Sequence, residues 1–332
     1  MPDHENQPSL RATAERVGLK VGAAVKLSRP DRPEPEAYWR VLSEQFNCVV
    51  AENAMKPRWT QPERGRFDFT MAQPMMAFAS EHGQAVRGHT LVWHNGIPDW
   101  MKTLDPERDT VMQVLRDHVH GVADRYRGRV FAWDVINEVF DKGGWRDTLW
   151  RQALGDDLLP NVFHWAHEHA PDAELFYNDY GIEKPGWKID ATLAEMRRLL
   201  DLGVPLHGVG LQYHYTLHDA PTDAELMDVF GRIIDLGLKV HLTEIDIRVP
   251  INDGPAAAHY DKQAEVYGRL IRTAMQFPAV DAILFWGFTD RYSWVPGFFD
   301  GWGDALLFDA AFKPKPAFFA VREAIATRAP AG

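Results

Sequence analysis

The stretch at residues 133–140, WDVINEVF, joins an apolar run to two polar side chains. Val135 and Ile136 are β-branched residues typical of a buried strand, and Asn137 and Glu138 follow them directly. Burying an amide or a carboxyl group costs free energy unless the group finds a partner. The stretch therefore indicates a strand that ends at a chemical site rather than in a plain turn.

Short apolar runs of the same kind recur along the chain and alternate with helical patterns. The predicted strands lie at 20–25, 48–51, 85–91, 130–136, 174–178, 208–212, 239–245 and 282–286. The predicted helices lie at 35–46, 106–126, 187–202, 222–236, 256–275 and 316–327. Strands that alternate with helices pair in parallel, and eight such units match a closed (β/α)₈ TIM barrel. A doubly wound open sheet is the alternative, but the G-x-G-x-x-G turn typical of that fold is missing after Val25 and elsewhere.

The composition fits a single globular domain. The 332 residues are 45% hydrophobic and 25% charged, which supplies enough apolar side chains for a large core. The chain has no linker rich in Pro, Gly or Ser, no low-complexity segment and no short repeat. We expect one barrel domain over residues 1–332, with its core at about 20–328.

Charge and hydropathy exclude several kinds of partner. The formal net charge is −11 and no run of Lys and Arg exceeds two residues, so neither nucleic acid nor a membrane surface is expected to bind. No segment approaches the ~18 apolar residues of a membrane span, and a monomer is expected. The N-terminal residues lack the pattern of a signal peptide, which predicts a cytoplasmic protein, or a secreted or periplasmic one if a signal has been removed. Cys48 is the only cysteine, which excludes an intramolecular disulfide and predicts an inert core thiol.

Polar and aromatic side chains stand at every predicted strand end from the second strand onward. In a TIM barrel these ends form the active face. A lone polar residue there usually caps the next helix, but the preferred caps are Ser, Thr, Asp and Asn, which do not account for this set. The residues are Glu52, Asn53 and Lys56 after strand two; His89, Trp93 and His94 after three; Asn137 and Glu138 after four; Tyr180 after five; Gln212 and His214 after six; Glu244 and Asp246 after seven; and Trp286 and Trp294 after eight.

Two carboxyl groups are candidates for catalysis. Glu138 and Glu244 follow strands four and seven, which face each other across an eight-stranded barrel, so both side chains can reach one bound molecule. Hydrolysis of a glycosidic bond requires such a pair. The alternative is that each forms a salt bridge, but no Lys or Arg stands beside either one in the strand ends. We therefore expect neutral neighbours, and burial would raise the pKa of an unpaired carboxyl group, as suits a general acid.

Histidines near these carboxyl groups support one of them or bind a metal. Glu244 and Asp246 lie on the same face of a strand, and His214 from the neighbouring strand is placed to bridge them. His89, His94, His214 and Asp246 are also candidate metal ligands. His89 and His94 are five positions apart, however, and would face opposite sides of one strand. We expect neither a metal nor another cofactor, and activity that is unchanged in EDTA.

The motifs together resemble family 10 of the glycoside hydrolases, the (β/α)₈ endo-β-1,4-xylanases. They are FNCVVAENAMKPRW, RGHTLVWH, WDVINE, NDY, GLQYH, TEIDI and WGFTDRYSW, in this order, and the likeness runs from about residue 21 to 321. The resemblance implies a retaining enzyme whose substrate is xylan or xylo-oligosaccharides, with Glu138 as acid/base and Glu244 as nucleophile. It further implies that Asn137 binds the 2-hydroxyl of the sugar at the cleavage point and that His89, Gln212 and His214 complete that subsite. By the same resemblance, Glu52, Asn53 and Lys56 bind the next sugar. The aromatic walls would be Trp93, Trp286 and Trp294, and the supporting residues would be Asp246, His94 and Tyr180.

One position departs from the family pattern. The strand-three motif usually continues WHSQ or WHNQ, whereas here it reads WHNG, with Gly96 in place of the Gln. In the family that Gln helps to exclude the hydroxymethyl arm of glucose, so a β-1,4-glucanase is an alternative function. The other interpretation is that Gly96 only shapes the turn before Pro98. A barrel that binds sugar without cutting it is disfavoured because both Glu138 and Glu244 are present.

Overall fold

The fold is a closed barrel of eight parallel strands. A computed structural model describes residues 8–27, 34–252 and 254–330. The strands are β1 (Lys20–Val25), β2 (Cys48–Ala51), β3 (Ala85–Trp93), β4 (Ala132–Asn137), β5 (Glu174–Asp179), β6 (Gly208–Leu211), β7 (Lys239–Pro250) and β8 (Val280–Phe285). Each strand pairs in parallel with the next, and β8 also pairs with β1. The closure confirms the predicted TIM barrel and rules out the open sheet.

One helix of the outer ring follows each strand. These helices are α1 (Glu36–Gln45), α2 (Gln73–Glu81), α3 (Arg108–Arg125), α4 (Leu158–His169), α5 (Trp187–Asp201), α6 (Asp223–Ile234), α7 (Tyr260–Ala274) and α8 (Pro316–Ile325). Shorter helices span Leu10–Arg16, Pro57–Thr60, Asp99–Lys102, Leu149–Leu154 and Val295–Phe298. Local sequence sets their starts: Thr222 and Glu225 form a capping box at α6, which satisfies backbone amides that lack an intrahelical partner. Across the described ranges, every helix is too short or too polar to reach from one side of a lipid bilayer to the other.

Two helices of the outer ring were not predicted from the sequence, and one strand is longer than predicted. Helices α2 and α4 were missed, although Pro74 in the first turn of α2 is a common helix start. Strand β7 runs five residues beyond the predicted end at Ile245. It is longer because its second half pairs with His214–Thr216 in parallel and with Trp302–Gly303 in antiparallel orientation. This extension lies above the barrel rim, beside the candidate site.

The barrel strands are buried on both faces, as expected for parallel strands under a ring of helices. All six residues of β4 are buried. The ring of Trp133 in β4 packs directly over Gly88 in β3, where an added Cβ atom would lie 2.2 Å from it, so only glycine fits there. Cys48 is fully buried and unpaired, and burial raises the pKa of its thiol to about 12. Such a thiol is unreactive, as expected from the sequence.

Candidate active site

A cleft of about 720 Å³ opens at the carboxyl ends of the barrel strands. It is lined by fourteen of the fifteen site residues predicted from the sequence; the fifteenth, Asp246, lies directly behind it and contacts His214. The cleft forms there because parallel strands of one barrel all end at the same rim. The structure therefore brings together side chains that lie as far apart in the sequence as Glu52 and Trp294.

Glu138 is held by neutral hydrogen-bond donors. Its Oε2 accepts from the indole nitrogen of Trp93 (2.9 Å), and its Oε1 accepts from Asn137 Nδ2 and Gln212 Nε2 (3.0 Å each). Nε2 of His94 lies 4.0 Å from Oε2. Among the described residues, no Lys or Arg forms an ion pair with this carboxyl group. The environment agrees with the expectation of neutral neighbours for Glu138.

The backbone of Glu138 adopts an uncommon conformation. Its φ is +59°, in the left-handed region that costs a residue with a side chain roughly 1 kcal/mol or more. The hydrogen bond from its amide nitrogen to the carbonyl oxygen of Asn178 (2.9 Å) holds this conformation. The turn ends β4 abruptly and directs the carboxyl group into the cleft instead of along the strand.

Glu244 has a different environment. Its Oε1 accepts a hydrogen bond from Asn178 Nδ2 (2.8 Å), its Oε2 lies 3.4 Å from His214 Nε2, and His89 Nδ1 lies 3.9 Å from Oε1. Burial alone would raise the pKa of this carboxyl group, but the two histidines outweigh burial and lower it. The expectation of a raised pKa from neutral neighbours was therefore wrong for Glu244, because its partners come from other strands.

His214 bridges Glu244 and Asp246. Its Nδ1 lies 2.8 Å from Asp246 Oδ2, which also accepts a hydrogen bond from the indole nitrogen of Trp294 (2.8 Å). Burial lowers the pKa of His214, but the two carboxylates outweigh it and raise the pKa to about 10. His214 is therefore protonated at neutral pH and carries a positive charge beside Glu244.

Two side-chain amides connect the carboxyl groups. Nδ2 of Asn178 donates to Glu244 Oε1 and to Asn137 Oδ1 (2.8 Å each), and Asn137 Nδ2 donates in turn to Glu138. The sequence analysis quoted Asn178 within NDY but gave it no role; its place at the end of β5 was the signal. Thr243 Oγ1 donates to Asn178 Oδ1 (2.7 Å) and fixes the orientation of the amide. Glu138 and Glu244 thus face one cleft at opposite ends of a short hydrogen-bonded chain.

A cluster of three polar residues, Glu52, Asn53 and Lys56, lies at one end of the cleft. Asn53 donates to Glu52 Oε1 (3.0 Å), and the Lys56 ammonium donates to Asn53 Oδ1 (3.1 Å). The ammonium lies 4.8 Å from the centre of the Trp93 ring. Burial lowers the pKa of Lys56, although Glu244, Glu52 and Glu138 act in the opposite direction. This end offers several hydrogen-bonding groups beside an aromatic face, the combination that sugar rings require.

Gly96 lies against this group. Its φ is +63°, and an added Cβ would lie 3.3 Å from Lys56 Cδ and 3.4 Å from the Trp93 ring. Its carbonyl oxygen accepts a hydrogen bond from the amide of Arg58 (2.8 Å). The positive φ fits the turn interpretation, while the neighbours show that a side chain here would approach residues that line the cleft.

Aromatic rings form the walls of the cleft. Trp93, Trp286 and Trp294 all line it, and so do Phe298 and Phe299, which the sequence analysis did not single out. Phe298 is 70% exposed, so its ring is free to contact a ligand. On the opposite side, the Tyr180 hydroxyl accepts a hydrogen bond from Arg146 Nη2 (3.2 Å). The walls supply flat apolar surfaces on either side of the carboxyl pair.

Three of the four candidate metal ligands, His89, His214 and Asp246, have hydrogen-bond partners within the protein. His89 Nδ1 lies 2.9 Å from Asp134 Oδ2, and His214 and Asp246 contact each other. His89 and His94 both line the cleft, contrary to the expectation from strand alternation, because β3 ends at Trp93 and its two-residue period does not extend to residue 94. In the described part of the chain, two groups of His and carboxylate side chains have ligand atoms within 4.8 Å of one another, and neither group contains any of these four.

A buried ion pair lies beneath His89. The Arg87 guanidinium donates to both oxygens of Asp134 and its Nη1 lies 2.7 Å from His241 Nδ1. Arg87 and His241 are fully buried and Asp134 is 1% exposed. Burial lowers the pKa of His241 to about 4, so its ring is neutral and its Nδ1 accepts the hydrogen bond from Arg87. The sequence gave no sign of this arrangement because its members come from three strands.

We expect Arg87→Met to lower the free energy of unfolding by about 3–5 kcal/mol, because it leaves the Asp134 carboxylate buried without its counter-charge. Urea unfolding followed by circular dichroism measures the change. Arg40→Met removes a guanidinium from an exposed pair on α1 and serves as the control, for which we expect no measurable change. Equal stability of the two variants would contradict this assignment.

The closed (β/α)₈ barrel and a cleft built around two carboxyl groups define a glycoside hydrolase. The chain belongs to glycosyl hydrolase family 10, whose family model matches residues 9–324. This confirms the resemblance seen in the sequence motifs.

The chain is similar to several xylanases over nearly its whole length. It is 39% identical over 315 residues to endo-1,4-β-xylanase B of Thermotoga neapolitana, covering 95% of this chain and 90% of that protein. The crystal structure of native xylanase 10B from Thermotoga maritima superposes with a TM-score of 0.93 at 38% identity, covering 96% of this chain and 98% of that one. The structure of xylanase 10B from Thermotoga petrophila RKU-1 in complex with xylobiose gives a TM-score of 0.94 at 38% identity, with coverage of 98% and 99%.

Proposed function

We propose that this protein is a retaining endo-β-1,4-xylanase that cuts internal bonds of xylan or xylo-oligosaccharides. The observation that carries the proposal is the pair Glu138 and Glu244, which face one cleft and are joined through Asn137 and Asn178. The similar proteins support the substrate, because they are named endo-1,4-β-xylanases and one of them binds xylobiose.

The two carboxyl groups have different surroundings, and we assign their roles accordingly. Glu244, whose pKa is lowered by His89 and His214, is ionised and attacks the anomeric carbon. Glu138, which is surrounded by neutral donors, protonates the departing glycosidic oxygen. The first step yields a sugar covalently bound to Glu244 through an ester bond, and Glu138, now ionised, then removes a proton from the water that hydrolyses it. His214 remains protonated throughout and orients Glu244.

The remaining polar residues are proposed to bind the sugars. Asn137 binds the 2-hydroxyl at the cleavage point, and His89, Gln212 and His214 complete that subsite. Glu52, Asn53 and Lys56 bind the next sugar away from the scissile bond, while Trp93, Trp286 and Trp294 contact the ring faces. His94, which lies 4.0 Å from Glu138, and Tyr180, which contacts Arg146, support the site together with Asp246.

We propose that the described barrel and its flanking segments form the single domain expected for residues 1–332. The helix Leu10–Arg16 precedes β1 and contacts the barrel through Arg11, whose Nη1 donates to the carbonyl oxygen of His82 (3.0 Å). At the other end, Arg328 donates to the carbonyl oxygens of Val280 and Phe277. Both ends of the described chain are therefore bound to the same barrel.

The stereochemistry of the product tests the mechanism. A retaining enzyme whose carboxyl groups lie ~5–5.5 Å apart first releases the β-anomer, whereas an inverting enzyme releases the α-anomer. Proton NMR of xylotetraose hydrolysis, recorded before mutarotation, distinguishes the two. Early β-anomer supports the proposal, and early α-anomer refutes the nucleophile role of Glu244 while leaving xylanase activity intact.

A β-1,4-glucanase is the second candidate because Gly96 leaves no side chain beside Lys56 and Trp93. We expect aryl xylobioside to be hydrolysed at least ~10-fold faster than aryl cellobioside, since even one extra methylene in a pocket is worth about 10–200-fold. A reversed ratio would favour the glucanase.

The variant Gly96→Gln separates the two interpretations of this position. If Gly96 admits the hydroxymethyl arm, the variant lowers the rate of cellobioside hydrolysis selectively. If Gly96 only shapes the turn, the variant lowers the rates on both substrates equally.

The pH profile depends on His214. In His214→Asn the positive charge beside Glu244 is lost, so the pKa of Glu244 rises. Because Glu244 must be ionised to attack, we expect the acidic limb of the kcat/KM profile to move to higher pH by about 1–3 units. His164→Asn, which changes an exposed histidine of α4, is the control and keeps the native profile. An unchanged acidic limb in His214→Asn would show that His214 does not stabilise the ionised Glu244.

A further inference from the structure

Two helices of the outer ring bring two histidines and two carboxylates together away from the cleft. His120 and Asp124 lie one turn apart on α3, and Glu168 and His169 end α4. His120 Nε2 lies 3.6 Å from Glu168 Oε2, and His169 Nδ1 lies 3.6 Å from Asp124 Oδ1. The ligand atoms of His120, Glu168 and His169 all lie within 4.8 Å of one another. None of the four residues lines the cleft.

The two imidazole nitrogens have no hydrogen-bond partner. His120 Nε2 and His169 Nδ1 are each shielded from solvent and make no hydrogen bond in the structure. An unpaired buried polar atom costs free energy, so two such atoms directed at a carboxylate need an explanation.

The other His and carboxylate group of the described chain provides a comparison. Glu174, His241 and Asp281 meet at the opposite rim of the barrel, but the Lys239 ammonium contacts both carboxylates and the Arg87 guanidinium donates to His241. Protein cations already satisfy that group. Near His120 and His169, the Arg127 guanidinium lies 3.4 Å from Asp124, and both imidazole nitrogens remain without a hydrogen-bond partner.

We propose that His120, Glu168 and His169 bind a divalent transition-metal ion of the zinc type, with Asp124 or water as the fourth ligand. Two histidines and a carboxylate are a ligand set that zinc prefers. The site also lies where both helices end, and the carboxyl end of a helix favours a positive charge. Such an ion would link α3 to α4 and stabilise the barrel without taking part in the reaction.

Binding requires a small rearrangement. Zinc–nitrogen bonds of 2.0–2.1 Å in tetrahedral geometry place ligand atoms ~3.3 Å apart, so any two ligand atoms of the group, which lie within 4.8 Å of each other, need to approach by at most roughly 1.5 Å. The two imidazole rings are stacked, with centroids 4.0 Å apart, and one ring must turn about its Cβ–Cγ bond to direct its nitrogen at a shared ion. Glu168 is 59% exposed along its side chain, which leaves it free to move and lets an ion enter from solvent.

Calorimetric titration of the full-length protein with ZnCl₂, after treatment with EDTA and its removal, tests the proposal. We expect one saturable site, and at least ~10-fold weaker binding in both His120→Ala and His169→Ala, because each removes a ligand. His167→Ala removes an exposed histidine of the same helix α4 and is the matched control, which should bind as the native protein does. Co²⁺ in place of Zn²⁺ should give the visible absorption of a four-coordinate ion in the native protein and in His167→Ala only.

Thermal unfolding supplies a second readout that does not depend on catalysis. Saturating Zn²⁺ should raise the Tm of the native protein and of His167→Ala by about 2 °C or more, and leave the Tm of His120→Ala unchanged. Activity on aryl xylobioside should be the same for all variants without metal. No saturable binding, or equal binding by all four proteins, would overturn the proposal; the latter result would mean that Zn²⁺ binds adventitiously elsewhere.

Discussion

Glu244→Ala is expected to lose ~10⁴-fold or more in kcat on aryl xylobioside, because the nucleophile belongs to a set of interdependent catalytic groups. The structure explains why the loss should be so large. Asn178, His214 and His89 all lie against the Glu244 carboxylate. Removing that carboxylate also removes the group that these three side chains hold in place. In the proposed mechanism, no covalent sugar ester forms without the carboxylate, so water must attack the anomeric carbon directly.

The measurement is kcat by release of the aryl group, with the purified variant free of native enzyme. Glu63→Ala removes an exposed carboxylate that does not line the cleft and is the control, with unchanged activity. Near-native thermal unfolding of Glu244→Ala shows that the barrel is intact. A loss of only tenfold would count against the nucleophile assignment. Hydrolysis of aryl xylobioside by the native protein would in either case exclude a barrel that binds sugar without cutting it.

Glu138→Gln is expected to lower kcat on xylo-oligosaccharides by about 10²–10⁴-fold, the contribution of general acid catalysis. Glutamine keeps an oxygen that accepts hydrogen bonds from Asn137 and Gln212. Its amide nitrogen replaces the Oε2 that accepts from Trp93, so that one hydrogen bond is lost together with the exchangeable proton. The decrease in the rate of the first step should be much smaller for an aryl xylobioside with a good leaving group, since that group departs without protonation.

Pre-steady-state kinetics separate the two steps. With the activated aryl substrate, Glu138→Gln should show a burst of aryl release followed by slow turnover, because hydrolysis of the sugar ester still lacks its general base. An equal loss on both substrates with no burst would assign Glu138 a structural role instead.

The difference between the two carboxyl groups arises from their neighbours. Glu138 is bonded to an indole and two amides, whereas Glu244 lies beside a protonated His214. We propose that these surroundings give two identical side chains different tasks, since the protonated His214 favours the ionised form of Glu244 and lowers its pKa. The hydrogen bonds through Asn137 and Asn178 fix the distance between them.

The positions of the site residues could be predicted from the sequence because parallel strands of a barrel end at one rim. Glu52, His89 and Trp286 were assigned to the cleft from their places at strand ends alone, and all of them line it. Asn178 was overlooked although it occupies the same kind of position at the end of β5. Phe298 and Phe299 lie at the end of the short helix Val295–Phe298, beyond the last barrel strand, so no strand pattern marked them.

The sequence by itself determined the alternation of eight strands with helices, which predicts a closed barrel, and the polar residues at the strand ends. These features depend on local periodicity and on chain order, which a sequence contains directly. Only the tertiary structure decided the charge of each group: the lowered pKa of Glu244, the protonation of His214 and the buried pair of Arg87 with Asp134. Electrostatic energies depend on distances between atoms of different strands and on their burial, and folding alone sets both.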